Sequence, residues 1–210
     1  KKVDLVSTSS PNLANEYKKN NLKIIFVKNG GDFSNLPEIN LNRSKVKPII
    51  GYVGTIAKWI DWDWIKNLGL VANYSIIKII GPLYVKIPND LPSNVIIMPP
   101  ISNKKALEAM NEFTIGIIPF KLTELTNHVD PIKFYEYKSL GLPVISTSFG
   151  SMAKRDADEG VFISNSVKDI NSLVKKALKY KTKDNNLKEF LKNNSWEKSF
   201  DSSKIIEEIN

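Results

Sequence analysis

The chain has 210 residues, 42% apolar and 25% charged, with no cysteine, one histidine and a formal net charge of +8. This is the composition of an ordinary globule with ample length for a core, and it excludes disulfides and thiolate metal sites. No apolar run approaches the ~18–20 residues that a membrane span needs, and no signal peptide is visible, which suits a cytoplasmic location.

Only Arg43 and Arg155 are arginines, and no basic stripe is interleaved with aromatics, so nucleic acid is not an expected partner. The basic balance suits an anionic substrate or the surface of an anionic membrane.

Residues 3–9 (VDLVSTS) read as a strand, Pro11 to Lys18 as a short helix and Lys23 to Val27 as a buried strand, with a turn at Asn29-Gly30-Gly31-Asp32-Phe33. Residues 34–46 have no period and read as a linker. Lys47 to Val53 is the next strand, ending at Gly54-Thr55, where open α/β sheets place ligands. The following GTIAKWIDWDWI is not a G-x-G-x-x-G fingerprint.

Asp61-Trp62-Asp63 is formally a D-x-D metal pattern, but two acids at the start of a helix over 61–70 satisfy orphan N–H groups and the dipole. No metal site is expected. Trp59, Trp62 and Trp64 read as packing residues, with an indole at a cleft mouth also able to stack on a sugar.

Ser75 to Ile80 is a buried strand closed by Gly81-Pro82, and residues 83–87 read as a short edge segment. Asn94 to Met98 is a strand running into Pro99-Pro100-Ile101. Ser102 caps a helix to about Met110, and Phe113 to Pro119 is another strand. Lys121 to Val129 reads as a polar loop holding His128. A lone histidine there is usually structural or solvated, although its place beside the next helix makes it a candidate sugar contact.

Asn127 to Ser146 (NHVDPIKFYEYKSLGLPVIS) organises the rest. Asp130 before Pro131 reads as an N-cap with proline at the first helical position. Phe134, Tyr137 and Leu140 form a one-sided apolar stripe, Gly141 fits the left-handed position after the last turn, and Val144 opens a strand. Lys133 sits in the first turn, where a cation costs roughly 0.3–1 kcal/mol unless an anion docks on the same N–H groups. Glu136 lies one turn on. The pair is either an anion and hydroxyl site or a solvated surface pair.

Beyond this helix, Pro143 to Thr147 is a strand, residues 148–158 a mobile-looking loop and Gly160 to Ser164 a last strand. Ser166 caps a helix with Ile170, Leu173, Val174 and Ala177 inward. Residues 184–193 and 195–208 read as two further helices. Strand–helix alternation from Lys47 to Lys181 specifies an α/β, Rossmann-like doubly wound, mostly parallel sheet of about six strands.

DPIKFYEYKSLGLPVIST, preceded by FTIGIIPFKLTELTNHV, resembles the donor-binding segment of GT-B glycosyltransferases of the family 4 type, more narrowly the bacterial polysaccharide-biosynthesis members with a P-x-K-x-Y-E-Y pattern. NGGDFSNL likewise resembles the tail of their N-terminal domain; an edge βαβ unit of one larger domain is the structural alternative. The resemblance implies the C-terminal half of a GT-B fold. Residues 1–40 would be a remnant of the acceptor domain with its linker, 41–194 the nucleotide-sugar domain, and 195–210 a helix crossing back.

It further implies a retaining, metal-independent sugar transfer from a UDP- or GDP-linked donor, without other cofactors, to a polysaccharide or glycolipid acceptor such as capsule. Lys133 and the helix start would hold the diphosphate, and Glu136 would bind the ribose hydroxyls. Gly54, Thr55 and Lys58 would face the diphosphate and Pro100 and Ile101 the base, while His128, Asp130, Pro131, Ile132 and Phe134 complete the implied site. The family's earlier Glu stands here as His128, and its usual Arg after the glycine as Thr55. With the acceptor half missing, donor binding with little or no transfer is expected of these 210 residues. A GT-B epimerase and a non-catalytic nucleotide-binding module are the alternatives.

Overall fold

The computed structural model describes residues 3, 5–18, 23–41, 43 and 47–209. Asp4 of the first expected strand, and residues 42 and 44–46 of the expected linker, lie outside the described residues.

β1 (Val6–Thr8), α1 (Pro11–Lys18) and β2 (Ile24–Phe26) form a small unit whose two strands pair in parallel in a sheet of their own. The main sheet contains β3 (Ile49–Val53), β4 (Ile76–Ile80), β5 (Val95–Met98), β6 (Ile115–Ile118), β7 (Val144–Thr147) and β8 (Val161–Ser164), in the order β5-β4-β3-β6-β7-β8. Every pairing is parallel. Ile50, Ile77, Ile79, Ile115, Ile117, Val144 and Ile145 are fully buried, as continuous apolar strands covered on both faces require. This is the α/β Rossmann-like doubly wound sheet that the alternation specifies. Its order reverses between β3 and β6, and at such a switch point the loops leaving the two strands diverge and open a crevice.

Local signals account for the covering helices. Asp61 caps α2 (Trp62–Val71), its carboxylate accepting the Trp64 N–H at 2.9 Å. Ser102 caps α3 (Asn103–Asn111), and Ser166 caps a 3-10 turn at Val167–Asp169 that leads into α6 (Ile170–Lys179). α5 (Ile132–Ser139) ends in a Schellman motif. Gly141 has φ +68 and donates its N–H to the Lys138 carbonyl, and Leu142 donates to that of Tyr137. Arg43 satisfies further helix ends from the linker, donating to the carbonyls of Asn111 (2.6 Å), Phe113 (2.8 Å) and Leu140 (2.5 Å). Burial brings its pKa down to about 10.

Several expected elements differ. Residues 83–87 form no strand; Leu83 makes a single bridge to Ile56. The polar loop contains a one-turn helix, α4 (Glu124–Asn127), closed by a capping box between Thr123 and Thr126. Within 148–158 the chain forms a 3-10 turn, Gly150–Lys154, tied down through Arg155. The 29–33 stretch is extended rather than turned, because Gly31 bridges Ser195 and Gly30 lies so close that a Cβ would stand 2.7 Å from the Ser195 backbone. After α7 (Asp184–Asn193), the last expected helix is broken at Lys204, φ 55, into α8 (Trp196–Ser203) and α9 (Ile205–Ile209). No helix of the described residues is long and apolar enough to cross a membrane.

α5 is fixed to the sheet by Tyr137, which is fully buried and accepts the Val53 N–H at 3.1 Å from the end of β3. Gly116 on β6 makes room for that ring: a Cβ there would lie 2.6 Å from its Cγ and Cδ2. Gly116→Ala is therefore expected to destabilise the fold by about 1–3 kcal/mol through overpacking. A denaturant midpoint equal to that of the parent chain would contradict this.

Candidate functional site

A cleft of about 400 Å³ opens at the switch point. Its floor is the Gly54-Thr55 turn after β3 and Phe120 after β6, and its walls are Trp59, α4 through Leu125 and Thr126, and the Val129–Lys133 segment that enters α5. Asn29 closes it from the small unit. The Lys133 stem crosses over Gly54, where an added Cβ would lie 3.3 Å from its Cε.

The entry to α5 is built differently from the expected cap. Pro131 is the N-cap residue, φ −77, and no side chain caps the helix. Asp130 is a correction: its carboxylate is buried and turned away from the helix N–H groups. Its Oδ1 accepts the Ser151 hydroxyl at 2.6 Å and the Arg155 guanidinium at 2.9 Å, and its Oδ2 accepts the Tyr135 hydroxyl at 2.7 Å. Arg155 stacks 3.8 Å from the centre of the Phe134 ring. The Asp130 carboxylate is thereby engaged elsewhere, and no side chain accepts from the first N–H groups of the helix beside Lys133.

Of the residues implied for the site, Gly54, Thr55, Asp130, Pro131, Ile132 and Lys133 line this cleft. Phe134 does not. Its ring is buried against Phe190 and Arg155, and its N–H is used by the Pro131 carbonyl. Glu136 stands just outside the lining, paired with Lys133 at 2.5 Å, each side chain about a quarter exposed. His128 faces the small unit, 3.2 Å from Glu16. Lys58 is exposed on the turn before α2, and Pro100 and Ile101 follow β5 at the outer edge, two strands from the switch point.

Asn29, Tyr52, Phe120, Leu125, Thr126 and Val129 line the cleft without having been singled out from sequence. Phe120 and Tyr52 carried a usable signal, since each lies at the carboxyl end of a parallel strand. Burial raises the Tyr52 phenol pKa, so it is a neutral donor, and it spends that proton on the Thr55 carbonyl at 3.0 Å. Among the described residues no cluster of three or more His, Cys, Asp or Glu is placed to hold a metal.

A six-stranded parallel sheet in this order, with a crevice at its switch point, is the doubly wound Rossmann-like fold, and solved structures of glycosyltransferases share it. Sucrose-phosphate synthase from Thermosynechococcus elongatus superposes over 99% of this chain and 59% of its own, with a TM-score of 0.67 at 12% identity. HepE from Anabaena, solved in complex with UDP, covers 99% of this chain and 64% of its own, TM-score 0.65 at 11% identity. By sequence, the chain is 24% identical to TuaH of Bacillus subtilis (strain 168), named as a teichuronic acid biosynthesis glycosyltransferase, over 173 aligned residues covering 73% of this chain. The chain spans 42% of TuaH's length. No family model matches it.

Arg155→Met leaves the Asp130 carboxylate buried without its charge partner. A loss of about 3–5 kcal/mol is expected in chemical denaturation, as for other broken buried pairs; a loss under about 1 kcal/mol would show that the pair is not needed to hold the α5 entry.

Proposed function

We propose that the chain is the nucleotide-sugar-binding part of a GT-B glycosyltransferase acting in bacterial polysaccharide or glycolipid synthesis. The observation that carries this is the uncapped amino end of α5, with Lys133, at the crevice of a parallel sheet. UDP in the HepE complex and the role named for TuaH support the substrate class and the setting.

In this reading the diphosphate lies across the Gly54-Thr55 turn and takes the Ile132 and Lys133 N–H groups and the Lys133 ammonium. As the sugar–oxygen bond breaks, charge builds on the leaving phosphate, and those fixed donors stabilise it. The cation and helix end stand in for the divalent ion that other transferases use, which supports a metal-independent reaction; retention of configuration follows from the family resemblance. Glu136, released from Lys133 by the phosphate, turns to the ribose hydroxyls. The small unit of β1, α1 and β2, within the stretch 1–40, belongs to the acceptor side, with α8 crossing to it. The net charge of +8 suits work at the anionic inner face of the membrane.

Titration calorimetry with UDP, GDP and ADP tests the reading. One nucleoside diphosphate is expected to bind, Lys133→Ala to weaken it about tenfold or more by removing a charge-assisted hydrogen bond, and EDTA to leave it unchanged. Unaltered affinity in the Lys133 variant would sink the assignment.

A further inference from the structure

Resting on the donor-domain reading, we propose that the sugar delivered to this cleft is a 6-deoxyhexose. Beyond Lys133 the walls are apolar: Trp59, Phe120, Leu125, Val129 and Ile132. The polar groups among them are largely committed to the protein itself. The Tyr52 hydroxyl donates to the Thr55 carbonyl (3.0 Å), the Thr126 hydroxyl to that of Lys121 (2.5 Å) and the Asn29 amide to that of Asp130 (2.7 Å). The Val129 N–H is taken by the Thr126 carbonyl (3.1 Å), and Pro131 has none to give. The Asp130 carboxylate is filled by Ser151, Arg155 and Tyr135.

The Trp59 indole bonds the Tyr52 hydroxyl, so of the side-chain groups on the described lining there remain for a sugar the Thr55 hydroxyl, the Asn29 oxygen and Lys133, the last of which the diphosphate takes. A hexose with every hydroxyl in place would bury some of them unpartnered, and an unpaired hydroxyl in an apolar wall costs free energy that the same group did not cost in water. Of the single hydroxyl losses, the one at C6 turns a hydroxymethyl arm into a methyl group, which such a wall receives without asking for a partner. The cation at one end and the apolar walls beyond it match an anionic diphosphate carrying a hydroxyl-poor ring.

The test is calorimetry on matched pairs: UDP-glucose against UDP-6-deoxyglucose, and GDP-mannose against GDP-6-deoxymannose, with UDP and GDP alone as references. In the pair whose base the chain accepts, the deoxy member is expected to bind about tenfold tighter, a ratio in keeping with what an apolar pocket achieves against one added hydroxyl. Leu125→Asn, which places an amide in the wall, is expected to bring that ratio close to one. If UDP or GDP binds but the hydroxylated sugar binds as well as or better than its deoxy partner, the sugar assignment is overturned and the donor-domain reading stands. If neither nucleoside diphosphate binds, both fall.

Discussion

A carboxylate and a guanidinium sealed between α5 and the turn after β7 determine where that helix begins and what its amino end can do. Removing both charges from water costs several kcal/mol per ion before pairing repays it. Repayment here is complete for the carboxylate, since Asp130 accepts from Ser151, Arg155 and Tyr135, and Arg155 gains the Phe134 face as well. The pair joins the residue before the helix to the 3-10 turn that follows β7. An aspartate immediately before a helix ordinarily caps it, but here Pro131 takes that position and Asp130 stands one residue further out. Because this one is committed sideways, no side chain occupies the Ile132 and Lys133 N–H groups at the start of the helix.

The sheet gives that helix end something to face. With six parallel strands in the order β5-β4-β3-β6-β7-β8, the connections leave β3 and β6 in opposite directions, and only there does the carboxyl rim part. Tyr137 bonds the Val53 N–H across that seam, and Gly116 admits its ring, so α5 is held over the gap rather than beside it. Tyr52 tightens the turn beneath by bonding the Thr55 carbonyl. A crevice in this position is a product of strand order, and the backbone N–H groups at its edge carry no preference among anionic groups.

Much of this was legible in the sequence because it is written locally. The strands are continuous apolar runs, α5 ends on Gly141 for reasons contained within a few residues, and Asp61 caps α2 from the adjacent position. The errors came from partners far along the chain. Nothing near Asp130 reveals that Arg155, 25 residues on, holds its carboxylate. The Asn29-Gly30-Gly31 stretch has turn composition, yet it is extended because Ser195 pairs with it and only glycine permits the approach. α4 escaped notice because its capping box ends in Thr126, where the usual pattern has Glu or Gln. The cleft wall was the least legible part, for it is assembled from the small unit, two strand ends and α4, which only the fold brings together.

Lys133 and Glu136 show how the two readings open at the sequence level converge. A cation in the first turn of α5 costs roughly 0.3–1 kcal/mol, and a partly exposed ion pair returns about as much. The contact between them at 2.5 Å therefore leaves the helix end close to neutral in net cost, and it is a pair that an incoming anion can replace. A diphosphate competes for Lys133 with more charge than a single carboxylate and with the helix N–H groups acting beside it, so it has the advantage. Glu136, if set free in this way, would be an acceptor on the same helix face, one turn from the proposed phosphate position. On the proposed reading, the bland surface pair and the ligand site are two states of the same two side chains, and an anion in the crevice would decide which one is populated.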